Sequence, residues 1–210
     1  MGSSLWFASA LALGALAVST PVQADAPDGD ATRISAAGHS LDWNWTPPGH
    51  TERFGHGETL IHAPLAQVRR MVLDFGRYKN LGADIKTSRV VGREPDGSTD
   101  VYLRIGVLND MISFWNVTRF APIRQEAAGA EVLEGRMVPG KGNIDDSVVM
   151  WTMHPAGDEW TVLKFDALLR PGVPAPQSLI DNTLRESAMH TVESVRDQLQ
   201  GSSGVQPYKG

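Results

Sequence analysis

Residues 160–199 read WTVLKFDALLRPGVPAPQSLIDNTLRESAMHTVESVRDQL, and the change of period along them decides the architecture. The first ten alternate, with Leu163, Phe165 and Ala167 on one face and Lys164 and Asp166 on the other, which is the period-two pattern of a strand. Three prolines follow. Pro171 ends the strand where a ladder donor is no longer needed, Gly172 permits the bend, and Pro174 and Pro176 preset φ for the turn into a helix. From about Pro176 to Leu199, the residues Ile180, Leu184, Ala188, Thr191, Val192, Val195 and Leu199 mark one apolar face. Asp181, Arg185, Glu186, Glu193, Arg196 and Asp197 mark the other. At ~1.5 Å per residue this helix is on the order of 36 Å long, enough to cross a whole sheet. The junction reads as its fixed end, so motion is expected instead from the loops VLND and PGKGN.

Upstream, the stretch from Thr87 to Arg170 reads as about six consecutive strands joined by hairpins. SRVVGR is followed by the turn EPDGS, DVYLRIGVL by NDM, and then come ISFWNVTRF, AEVLEGRMV, the loop PGKGN, DSVVMWTMH and the turn PAGDE. Before them, ETLIHA is a short strand stopped by Pro64. Leu65, Val68, Met71, Val72 and Phe75 then carry a helical stripe that Gly76 breaks, and RYKNLGADI adds a second short helical piece.

An antiparallel sheet of that length curls to bury one face, and a single helix laid in its concavity does not fill the space as a second sheet would. A cavity between them is the physical expectation. Alternation nominates Leu103, Ile105, Phe114, Trp151, Met153, Leu163 and Phe165 as its strand-side lining and Ile180, Leu184 and Ala188 as its helix side. Asn116 shares a face with Phe114 and Phe120 and is the most plausible inward polar group. In VLEGRMV, Glu134 and Arg136 share one face, either as a cross-strand ion pair in solvent or as an inward polar anchor for a ligand head group.

Composition narrows the function classes. With 210 residues, 41% of them hydrophobic, the chain suits one domain with a real core. A net charge of −5 without clusters of Lys or Arg argues against a nucleic-acid face. Residues 5–18, LWFASALALGALAV, followed by Val22-Gln-Ala24, read as a signal peptide cleaved after Ala24 and hence as export to the periplasm or medium. The first residues carry no Lys or Arg, so an uncleaved anchor is the competing reading. Residues 25–57 read as a linker whose Trp43 and Trp45 pack on the domain, and 201–210 as a flexible tail. No cysteine is present, and the histidines, His39, His50, His56, His62, His154 and His190, lack metal-ligand spacing; no metal, cofactor or catalytic constellation is expected.

Two end motifs then carry a resemblance. IHAPLAQVRRMVLDFGRYKNLGADIKTSRVVGR (residues 61–93) resembles the opening of START-like domains of the SRPBCC superfamily, with its A-P helix start, D-F-x-x-Y and S-x-V-V strand. Residues 150–199 resemble their ending, where P-G-x-P-x-P-x-x-L-I-x-x-x-L opens the long helix. The resemblance spans residues 58–200 and implies an α+β helix-grip fold, a curved antiparallel sheet of about six to seven strands wrapped around the C-terminal helix. It also implies a hydrophobic small-molecule or lipid partner (sterol, hopanoid or quinone among them), held without catalysis and with transient membrane-surface contact. A cyclase or aromatase using the same cavity is the alternative.

Overall fold

A computed structural model describes residues 27–82, 84–107 and 111–201; the expected signal peptide, most of the expected tail and most of the VLND loop lie outside them. The described strands are β1 (Ser40–Trp45), β2 (Phe54–Ile61), β3 (Ile85–Arg93), β4 (Thr99–Val107), β5 (Ile112–Phe120), β6 (Arg124–Gln125), β7 (Glu131–Gly142), β8 (Ile144–Pro155) and β9 (Thr161–Pro171). The helices are α1 (Pro27–Ala36), α2 (Leu65–Val72) and α3 (Gln177–Gln200). All strands belong to one antiparallel sheet in the order β1-β2-β9-β8-β7-β5-β4-β3, with β6 paired to β7. The meander from β3 to β9 is as the turns predict, and β2 closes back on β9. The sheet has more strands than expected because β1 and the short β6 join it.

β1 and β2 correct the linker reading of residues 25–57. The reason lies in FGHG, residues 54–57, which looks like a turn but is strand. A Cβ at Gly55 would stand 2.2 Å from the backbone carbonyl carbon of Leu184, and one at Gly57 2.6 Å from that of Ala188. Two glycines at i and i+2 therefore present bare backbone on one face, and α3 lies directly on it. β1 adds polar ties: Asn44 Nδ2 donates to the Asp181 carbonyl at 2.9 Å, and Arg196 Nη1 to Ser40 Oγ at 2.7 Å.

The opposite face of β2 carries charge. His56, Glu58 and Asp166 are buried there beneath α1 and the Trp45 indole. His56 Nδ1 meets Asp166 Oδ1 at 2.8 Å, Trp45 Nε1 donates to the same oxygen at 2.6 Å, and Arg33 of α1 donates to Glu58 at 3.0 Å and to Asp30 at 2.9 Å. Lys164 pairs with Asp30. Lys164 and Asp166 thus face away from α3 as alternation requires, but α1 takes them out of water; its apolar side, Ala31 and Ile34, packs on Leu60, Ala156 and Val162. Burial opposes the charge on His56, yet its hydrogen bond to Asp166 and the Glu58 carboxylate 3.6 Å from its Nε2 outweigh burial and raise its pKa. Burial likewise pushes Glu58 upward, and His56 and Arg33 more than reverse it, leaving Glu58 below the ordinary carboxylate value.

Two further elements depart from expectation. The helix after Pro64 stops at Val72, before Gly76, and residues Phe75–Asn80 form a 3-10 turn. That turn drives Phe75 and Tyr78 into the core, where Phe75 stacks on Phe120 with centroids 4.6 Å apart and Tyr78 OH donates to the Val72 carbonyl at 2.6 Å. PGKGN, expected as a mobile hairpin loop, is largely the end of β7. Asn143 ties its tip to β5, accepting from Trp115 N at 2.7 Å and donating to Ser113 O at 2.9 Å.

Candidate functional site: an apolar cavity under the C-terminal helix

α3 packs on β1, β2 and β9. On the same face, toward the opposite edge of the sheet, the gap between the helix and β4 and β5 holds a cavity of about 620 Å³, within the ~300–1,000 Å³ usual for small-molecule sites. Its position follows from the glycine contact. A helix pressed to the backbone of β2 stands away from the strands at the far edge of a curved sheet.

β4 lines the cavity with Leu103 and Ile105, β5 with Phe114 and Asn116, β8 with Trp151 and β9 with Phe165, while α3 contributes Ile180 and Leu184. These are sequence-nominated residues, and alternation places them because each strand shows the cavity one face. Met153, Leu163 and Ala188 are corrections. Met153 and Leu163 share the inward face of Trp151 and Phe165, but Val68 and Val72 of α2 join them in solid core. Ala188 is spent in the grip, against Gly57.

Glu134 and Arg136 are likewise corrected as polar anchors. They pair with each other on the outer face, Arg136 with its side chain 58% exposed. Gly135 between them faces inward, and a Cβ there would meet the Phe120 ring at 2.7 Å. The strand is thus oriented by the residue that has no side chain.

The sequence reading missed four parts of the wall. Tyr78 closes the deep end beside Phe120 and Trp151, and Val149 and Ser147 of β8 extend the floor. The Y of D-F-x-x-Y was the available signal for Tyr78. Pro171, Val173, Pro174 and Pro176 also border the cavity, with Ile112 and Leu179, so the proline junction forms part of its wall as well as the start of the helix. Finally, Thr183, Ser187 and His190 of α3 and Asp84 give one margin polar character.

Deep polar groups are few. Tyr78 is fully buried, which drives its phenol pKa well up, and the buried Trp151 Nε1–H meets that phenol too loosely for a standard hydrogen bond. Asn116 is 1% exposed and donates to Thr118 Oγ1 at 3.0 Å. Such a wall binds by area and orients by one or two polar contacts.

An antiparallel sheet gripping a long C-terminal helix over an apolar cavity is the α+β helix-grip fold, and this chain has it. No family model matches the sequence, and no curated protein matches it. Solved structures do. A STAR-related lipid transfer protein from Xanthomonas axonopodis is 19% identical, with 77% of this chain and 94% of that one covered at a TM-score of 0.65. Human StAR-related lipid transfer protein 5 is 11% identical, covering 81% and 97% at 0.64. Zhui aromatase/cyclase from a Streptomyces species is 14% identical, covering 73% and 99% at 0.54. The neighbours therefore include both lipid-transfer proteins and aromatase/cyclases.

Proposed function

We propose that this chain is an exported, non-catalytic carrier that shields one hydrophobic molecule of the lipid, sterol, hopanoid or quinone kind in the cavity between α3 and the sheet. The observation that carries the reading is the cavity wall, predominantly aromatic and aliphatic with few polar groups. At ~25 cal/mol per Å², removing a few hundred Å² of ligand surface from water is worth on the order of 10 kcal/mol before ordering costs. That suffices for retention without a covalent or ionic anchor.

The rim supports transient contact with a membrane surface during loading. Val173 is 53% exposed and Leu179 46%, with Ile112 on the same cavity margin at 39% and the adjacent Met111 at 85%, an apolar fringe that costs little to press against lipid. Export rests on residues 1–24; fractionation and N-terminal sequencing should find a mature chain starting at Asp25 outside the cytoplasm, and a chain retained intact in the cytoplasm would refute it.

Native mass spectrometry of protein purified from its own host, coupled to transfer assays between vesicles, tests binding. A bound, chemically unaltered lipid is the expected result. Protein that carries no ligand and transfers none contradicts the carrier, and a ligand released in cyclised or otherwise altered form favours the cyclase alternative.

A further inference from the structure

The cavity's electrostatics say more about its occupant than its size does. Resting on the binding reading above, we propose that the ligand is an uncharged amphiphile, a hydrocarbon body bearing one hydroxyl or carbonyl group, and that Asn116 recognises this polar group. Among the described residues no lysine or arginine lines the cavity, whereas two carboxylates, Asp84 and Glu186, do, with the single histidine, His190, on the α3 margin. A carboxylate or phosphate carried into an apolar enclosure without a cation loses its hydration with nothing to replace it, and the two lining carboxylates add repulsion. Two cations that neighbour lining residues in sequence are turned elsewhere. Arg185 pairs with Asp42 at 3.2 Å, and Arg104 is exposed on the face of β4 opposite Leu103 and Ile105.

Thr183, Ser187 and His190 belong to the α3 margin; away from it the polar capacity is more specific. Tyr78 OH already donates to Val72 O, and Thr191 Oγ1 to Ser187 O at 2.7 Å. Asn116, buried in the β5 wall, is different. A primary amide offers two N–H donors and an acceptor oxygen, and its bond to Thr118 engages only one side. Whichever way the amide is turned, its other polar atom makes no bond to Thr118, and the residue belongs to the cavity wall. A hydroxyl can donate to or accept from it, and a carbonyl can accept. A carboxylate placed there would gain one hydrogen bond and no countercharge. Ser147, buried on β8 in the same lining, supplies a second neutral group.

The test uses two fluorescent probes with the same polyene chain, cis-parinaric acid and parinaryl alcohol, titrated at pH 8 into delipidated mature protein. Wild type is expected to bind the alcohol at least tenfold more tightly than the acid. Asn116→Leu should weaken the alcohol at least fivefold and leave the acid unchanged, with circular dichroism confirming the fold. Asn116→Asp preserves the shape of the side chain and should weaken the acid a further fivefold while shifting the alcohol less than threefold. Equal or tighter binding of the acid by wild type overturns the neutral-ligand inference and leaves the carrier reading standing. Alcohol binding that Asn116→Leu leaves unchanged removes Asn116 from it. Binding of neither probe, nor of the methyl ester of the acid, counts against the carrier reading itself.

Discussion

The two halves of the sheet meet the same helix in opposite ways. At β2 the backbone of α3 rests on Gly55 and Gly57 with no side chain between. At β4 and β5 large residues, Leu103, Ile105 and Phe114, point toward the helix and stop short of it, around open space. A close backbone contact on one side holds the helix rigidly enough that the other side needs no filling. The difference teaches that in this domain the void is a consequence of where the glycines are.

Substitutions should separate the halves. Gly55→Val forces a Cβ into the helix backbone, which has nowhere to move, and should cost about 3 kcal/mol or more, or prevent folding, in urea titrations. Ile105→Ala, on the open side, should cost only about 1 kcal/mol, since the space it vacates joins an existing cavity. Comparable losses at the two positions would break the comparison.

A second contrast, between the apolar face under α3 and the charged face under α1, gives intermediate effects. Arg33→Ala deprives the buried Glu58 of a partner; because the arginine side chain is 43% exposed, the expected loss is reduced to about 1–2 kcal/mol. Its pH dependence has a definite sign. The His56 pKa is raised above its ordinary 6.5, so its contribution is complete below pH 6.5 and is lost as pH rises through the folded value. Asp30 and Glu58 are lowered from 3.8 and 4.5, so theirs is present above those values and lost on acidification. Burial lowers His154, which works against His56 by losing stability as pH falls below 6.5. The stability gap between wild type and His56→Gln isolates the first effect, and it should be widest near pH 5.5 and shrink toward pH 9. A gap that widens with alkali would contradict the raised pKa.

The smallest stability effect is expected at the rim. Val173→Asp combined with Leu179→Asp should alter stability by no more than about 0.5 kcal/mol, yet reduce vesicle association several-fold in flotation assays. Unchanged association would remove the rim from the loading step.

Much of this was legible in the sequence, and the failures are physical. Alternation placed Leu103, Ile105, Phe114 and Phe165 inward because each strand keeps one face to the helix. It could not tell Trp151 from Met153, since both point inward and only the position of α2 decides which meets open space. α1 escaped notice because, among its described side chains, residues 29–36, only Ala31 and Ile34 are buried and apolar, too few for a helical stripe. β2 was cut short because FGHG has the composition of a turn; the paired glycines make sense only against α3, more than a hundred residues away in the chain.

The central claim is that the space between α3 and β4–β5 holds an apolar ligand, and filling that space tests it most directly. Ile105→Trp places an indole in the cavity, where overpacking does not strain the core. Native mass spectrometry of wild type and this variant, purified in parallel, should show one ligand bound to the first and none to the second, with the melting temperature unchanged or higher. Equal ligand occupancy in both, or a variant that loses its fold, would contradict the account.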